Sequence, residues 1–149
     1  MKFILILFFV VTTVNAQAAS SEYAFPNSID PAKRYVFYSH GFIVEGEERT
    51  PIHPRWGVYD FPSVLKALED ESYVLVAHHR PEGVSPIDYA KRLAGEVKQL
   101  ITAGVPPQNI TLTGFSRGGV ITILASNELK NARVNVVILA GCAGLINRK

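Results

Sequence analysis

The chain has 149 residues, of which 48% are hydrophobic and 19% charged, so it predicts about one globular domain and excludes a disordered chain. The net charge is +2 and no basic run is dense, which argues against nucleic acid or an anionic membrane as a partner. Four histidines and one cysteine show none of the familiar metal-ligand spacings, and we expect no metal site.

Residues 1–18 have the features of a secretory signal peptide. Lys2 supplies the positive start, residues 3–11 form an unbroken apolar run, and small residues follow, with cleavage expected after Ala16 or Ala18. The apolar run is short for a bilayer span, so no stable membrane anchor is expected. The mature protein is therefore predicted to be exported, either to the periplasm or out of the cell.

The first part of the mature chain predicts one strand and one long loop. Residues 19–33 are polar and contain two prolines, so we expect an irregular segment there, followed by a domain over residues 34–149. Residues 34–39 are aromatic and β-branched, which predicts a strand. The loop over 43–59 is longer than a plain connector, which is typical of functional or disordered segments. Its Trp56 and His53 are predicted to form a wall of a substrate site.

Helices and strands alternate through the remainder of the chain. The pattern predicts a helix near 61–69, a strand at 73–77, a helix at 86–103, a strand at 110–113, a helix at 120–130 and a strand at 134–140. This order is typical of an α/β fold with a parallel sheet of about four strands. Because the strands are continuous apolar runs, helices should cover both faces, giving a three-layer sandwich.

The sequence from Gly114 to Gly118 matches G-x-S-x-G between a predicted strand and a predicted helix. In that context Ser116 would occupy a sharp, strained turn, and the two glycines would leave room around it. The amide of Arg117 would then lie at the helix N-terminus, where it can stabilise an oxyanion. The alternative is a plain strand-turn-helix connection without chemistry.

Ligands of open parallel sheets bind at the carboxyl ends of the strands. Three groups of chemically useful residues follow predicted strands here: His40-Gly41-Phe42, His78-His79-Arg80 and Ser116. Their coincidence at one edge of the sheet predicts a site for a small-molecule substrate.

The chain from about Tyr35 to Ala143 resembles the α/β-hydrolases, and within them the small exported single-domain enzymes. The resemblance rests on the G-x-S-x-G sequence, the earlier His40-Gly41 step after a strand, and the strand and helix order between them. It implies Ser116 as nucleophile and the amides of Phe42 and Arg117 as an oxyanion hole. It also implies hydrolysis of esters, amides or thioesters by acyl transfer, without a metal or organic cofactor.

The sequence departs from that family after Ser116. The family order is Ser, then Asp or Glu, then His, whereas no His or Asp follows Ser116 and the only later acid is Glu128. Twelve residues along a helix place Glu128 about 18 Å from Ser116 along the helix axis. We expect an incomplete hydrolase fold that lacks its acid and histidine, weak or inactive alone, an interpretation also favoured by the unpaired Cys142. An incomplete sheet would expose an edge, through which a dimer is expected.

Two alternatives to an incomplete hydrolase stay open. One is a non-catalytic binding domain that keeps the turn from Gly114 to Gly118, called the elbow below. The other is an enzyme in which a histidine that precedes Ser116 in the sequence acts as the base. We expect His40 to hold the loop around Phe42 in place by hydrogen bonds more readily than to act as a catalytic base. Because His78 and His79 are adjacent, at most one can face the site. Arg80 would either pair with an anionic substrate group or be solvated.

Overall fold

A computed structural model describes residues 22–141. The predicted signal peptide and Cys142 lie outside these residues. The helices are α1 (Phe61–Leu68), α2 (Pro86–Thr102) and α3 (Arg117–Leu129), and the strands are β1 (Arg34–Ser39), β2 (Ile52–His53), β3 (Gly57–Val58), β4 (Tyr73–Val76), β5 (Ile110–Phe115) and β6 (Asn135–Leu139). Short 3₁₀ helices span Phe42–Val44 and Pro107–Asn109.

Four strands form one parallel sheet in the order β4-β1-β5-β6, and β2 pairs with β3 in a small antiparallel hairpin. The predicted α/β fold with a four-stranded parallel sheet is therefore confirmed. The chain moves from β1 to β4 on one side and then crosses to β5 on the other side of β1. The direction of winding thus reverses between β1 and β5, and such reversal points form ligand crevices at the carboxyl ends of the strands.

Alternate residues of β1 belong to two separate hydrophobic clusters. Tyr35 and Phe37 pack in a cluster with residues of α2 and α3. Val36 and Tyr38 pack in a second cluster with residues of α1. Since successive side chains of a strand point to opposite faces, both faces of the sheet are covered by helices, as the continuous apolar runs of the strands require.

Two of the helices, α1 and α2, begin where a side chain satisfies one of their first amide groups. The carboxylate of Asp60 accepts a hydrogen bond from the Ser63 amide at 3.0 Å, ahead of α1. The hydroxyl of Ser85 accepts one from the Asp88 amide at 3.3 Å, ahead of α2. Each helix also has a proline in its first turn. These contacts confirm both predicted helix starts.

The structure differs from the expected elements around the elbow and in the long loop. β5 extends to Phe115 and α3 begins at Arg117, three residues before the predicted start. The loop over 43–59 contains the β2–β3 hairpin, which the sequence did not indicate. At the edge of the sheet, β6 exposes Val136, Val137 and Leu139. None of the helices over residues 22–141 is long and apolar enough to cross a bilayer.

Candidate active site at the carboxyl ends of β1 and β5

Ser116 is the single residue between the end of β5 and the start of α3. Its backbone angles are φ 53° and ψ −117°. Residues other than glycine rarely adopt this conformation, which costs about 1–3 kcal/mol. Two backbone hydrogen bonds fix it: the Ser116 amide donates to the Leu139 carbonyl at 2.8 Å, and the Val120 amide donates to the Ser116 carbonyl at 3.2 Å. The strained turn is therefore held by β6 on one side and α3 on the other.

Glycines allow the backbone of α3 to approach the sheet around this turn. A Cβ at Gly118 would overlap the carbonyl of Ser39 in β1, and a Cβ at Gly114 would lie 2.5 Å from the Thr122 hydroxyl. A Cβ at Gly41 would lie 3.7 Å from the Ser116 Cβ. The loop after β1 therefore lies directly beside Ser116.

Two amide groups close to Ser116 make no hydrogen bond within residues 22–141. Within the described residues, neither the amide of Phe42 nor that of Arg117 donates a hydrogen bond. The Arg117 amide belongs to the first turn of α3, where the helix dipole favours negative charge. The Gly41 carbonyl beside them is already bonded, since the ring of His40 (2.8 Å) and the guanidinium of Arg80 both contact it.

His40 is fully buried and both of its ring nitrogens are bonded. Nε2 accepts a hydrogen bond from the Arg80 amide at 2.9 Å. Nδ1 must then carry the proton, and it donates to the Gly41 carbonyl. Burial first, and the charge of Arg80 second, lower the pKa of His40 to about 3. His40 is a neutral ring that fixes the loop, and no nitrogen is left to deprotonate Ser116.

Arg80 and Glu45 form a buried network that the sequence did not reveal. Arg80 is fully buried, so it is neither the solvated residue nor the substrate contact that the sequence suggested. Its Nε donates to Glu45 at 3.2 Å, and the second carboxylate oxygen of Glu45 accepts from Arg117 at 2.9 Å. Burial lowers the pKa of Arg80, and the carboxylate of Glu45 opposes that effect. The Arg117 guanidinium also lies 4.3 Å from the centre of the Phe42 ring.

His78 and His79 make contacts on different elements. His78 Nε2 lies 2.9 Å from the carboxylate of Glu96 in α2, whereas His79 Nε2 donates to the Val44 carbonyl at 2.7 Å. Neither ring lies among the residues that surround Ser116. Neither histidine is therefore placed to act on Ser116.

An open cleft of about 570 Å³ lies over Ser116. It is lined by Gly41, Phe42, Ile43, His53, Trp56, Gly57, Val58, Tyr59, Phe115, Ser116 and Ala140. The structure thus places Trp56 and His53 on the wall of the cleft that contains Ser116. The rings of Trp56 and His53 stack with their centres 4.2 Å apart.

No protein-family model, curated protein or solved structure matches this chain. The interpretation of the site therefore depends on its own geometry. Over residues 22–141 no group of three or more metal-ligating side chains is found. In the same residues the hydroxyl of Ser116 makes no hydrogen bond to a side chain, so the activating contact of a serine nucleophile is absent from this part of the chain.

Proposed function

We propose that the protein is a serine hydrolase of the α/β-hydrolase type, acting on ester- or amide-type substrates by acyl transfer. The observation that carries the proposal is the conformation of Ser116. A non-glycine residue at φ 53° is strained, and strain of this kind concentrates at functional sites. The turn presents the hydroxyl to a cleft, between β1 and β5, where the winding of the sheet reverses.

In the proposed reaction the hydroxyl of Ser116 attacks the carbonyl carbon of the substrate. The carbonyl oxygen becomes an oxyanion, which the free amides of Phe42 and Arg117 stabilise. The tetrahedral intermediate then expels the alcohol or amine, leaving an acyl group on Ser116 that water removes. The helices on both faces of the parallel sheet agree with a three-layer hydrolase sandwich.

The general base is the missing component of this proposal. All four histidines of the sequence lie in the described residues, and the three that follow strands are bonded away from Ser116. His53 lines the cleft, but its Nδ1 accepts the Arg55 amide at 3.1 Å and its ring stacks on Trp56. A histidine base would have to come from outside this sequence, so we expect low reactivity for the chain alone.

A non-catalytic domain that binds a ligand in the cleft is the second candidate function. The observation that favours it is the same lack of a hydrogen-bond partner for the Ser116 hydroxyl among residues 22–141. A strained turn and free amides can also bind the carbonyl or carboxylate of a ligand without attacking it.

Labelling with a fluorophosphonate probe tests the two functions against each other. The probe phosphonylates an activated serine and releases fluoride, so we expect slow labelling that is lost in Ser116→Ala. Ser63→Ala is the matched control, because Ser63 is an exposed serine in α1 and its loss should leave labelling unchanged. If a folded sample is not labelled, the binding function is favoured. If labelling persists in Ser116→Ala, Ser116 is not the nucleophile.

We also propose export of the protein, on the composition of residues 1–18. N-terminal sequencing of the mature protein should find a start after Ala16 or Ala18, and an intact Met1 would contradict export by cleavage. Self-association through the exposed edge of β6 is proposed on its apolar side chains. Size-exclusion chromatography should then show a dimer that Val137→Lys abolishes.

A further inference from the structure

One of the residues that line the cleft is an exposed tryptophan on a short hairpin. Trp56 lies in the turn between β2 and β3 and is 73% exposed. The next residue, Gly57, has φ 76°, a left-handed conformation that glycine adopts without strain. Trp56 is also the single tryptophan of the sequence.

The indole ring is held in place although it is exposed. Its ring stacks on His53 with an interplanar angle of 24°, and the guanidinium of Arg55 lies 5.5 Å from its centre. The ring of His53 is fixed in turn, because its Nδ1 accepts the Arg55 amide. A ring that is already ordered loses little conformational entropy when a ligand binds to it.

A second exposed ring borders the same cleft. Phe42 is 58% exposed, and the Arg117 guanidinium lies against its ring. Phe42 and Trp56 are among eight large hydrophobic side chains that the described residues expose, and four of the eight lie between residues 42 and 58. Such a concentration of exposed apolar surface marks a binding site.

The side chains that line the cleft offer no ion pair to a ligand. Its lining contains no Asp, Glu, Lys or Arg, and the nearby Arg117 is paired with Glu45. A charged group among these side chains would lose hydration without gaining an ion pair, which is unfavourable, whereas the amides of Phe42 and Arg117 can bind an oxyanion. The volume of about 570 Å³ lies in the range of small-molecule sites.

We propose that the cleft selects a neutral ester whose acyl group carries an aromatic ring, and that Trp56 is the specificity-determining residue. This rests on the proposed function, because Ser116 would attack the ester carbonyl while the aromatic ring stacks on the exposed part of the indole. Phe42 borders the carbonyl end of the ligand, where its amide faces the developing oxyanion. Aromatic rings favour this arrangement over saturated rings of the same size.

The test titrates Ser116→Ala with two probes while tryptophan emission is followed. Methyl phenylacetate carries the ring, and methyl cyclohexylacetate carries its saturated equivalent. We expect a saturable change in emission with methyl phenylacetate, and binding about threefold to tenfold weaker for the saturated ester.

Variants of the hairpin check that Trp56 is the residue responsible. By ligand-observed NMR, Trp56→Ala should weaken binding of methyl phenylacetate about tenfold, and Trp56→Phe should retain it within about threefold. Ile87→Ala is the control, because Ile87 is an exposed apolar residue of α2 outside the cleft, and it should bind as the parent does. Equal binding of the two esters, or an equal loss in Ile87→Ala, would each overturn the proposal.

These titrations are independent of the reactivity of Ser116. Ser116→Ala cannot be acylated, so the binding constants are the same whether or not the native serine is a nucleophile. Labelled protein without selective binding of the aromatic ester would retain the hydrolase and reject this substrate class. Selective binding by a chain that is never labelled would retain the aromatic site and reject catalysis.

Discussion

The burial of a neutral histidine should make the stability of the protein depend on pH between 7 and 5. The pKa of His40 is about 3 in the folded protein, against an ordinary value of 6.5. Since the pKa of His40 is lower in the folded protein, His40 binds a proton in the unfolded chain at pH values where it stays neutral in the folded protein. The contribution of His40 to stability is complete above pH 6.5 and is lost as the pH falls from 6.5 towards 3.

The size of this effect follows from the difference in proton binding. Each pH unit between the two pKa values changes the free energy of unfolding by about 1.4 kcal/mol. From pH 7 to pH 5 the unfolded His40 becomes almost fully protonated and the folded one stays neutral, so about 2 kcal/mol should be lost. The charged and titratable groups that act on His40, namely Arg80 and His79, both oppose its protonation.

Urea unfolding followed by circular dichroism at pH 7, 6 and 5 measures this loss. His40→Asn removes the titrating ring, so it should be less stable at pH 7 but show a flatter dependence on pH. His53→Asn, on the β2–β3 hairpin, is the control and should keep the slope of the parent protein. A free energy of unfolding that stays constant from pH 7 to pH 5, or an equal slope in His40→Asn, would refute the argument.

Three substitutions test the packing around the site by the free energy of unfolding in urea. Gly118→Ala should cost about 3 kcal/mol or more, since its methyl group would overlap the Ser39 carbonyl; a cost below about 1 kcal/mol would contradict the packing. Glu45→Gln should cost about 3 kcal/mol, because it leaves two arginines without a carboxylate, whereas the exposed Glu48→Gln should cost little. Asp60→Ala should lower the free energy of unfolding through loss of the α1 cap, and an unchanged stability would show that the cap is dispensable.

The parts of the fold that depend on neighbouring residues could be predicted from the sequence. The strand over residues 34–39 and the helix starts at Asp60 and Ser85 are set by side-chain branching, proline and capping within a few residues. The parallel sheet follows from the alternation of these elements. The position of Ser116 between a strand and a helix follows from the same local pattern.

The parts that depend on contacts distant in sequence could not be predicted. Glu45 is separated from Arg80 by 35 residues and from Arg117 by 72, and in the sequence it is one acid in a group of three. The β2–β3 hairpin has only two residues per strand, too few for an alternating pattern to show. Nothing in the sequence distinguishes Glu45 from Glu47 and Glu48 as the carboxylate that is buried.

The buried charges fix the loop after β1. In the proposed reaction a carbonyl pointing at the substrate oxygen would repel the oxyanion, so the Gly41 carbonyl would have to face away from it. His40 and Arg80 both donate to that carbonyl, and Arg80 also donates to the His40 carbonyl. Because these donors fix the carbonyls of His40 and Gly41, the peptide group between Gly41 and Phe42 has little freedom to rotate. The neutral ring of His40 is essential to this arrangement, because only the neutral form accepts the Arg80 amide at Nε2 while donating from Nδ1. The low pKa of His40 and the free amide of Phe42 are thus two consequences of one buried network.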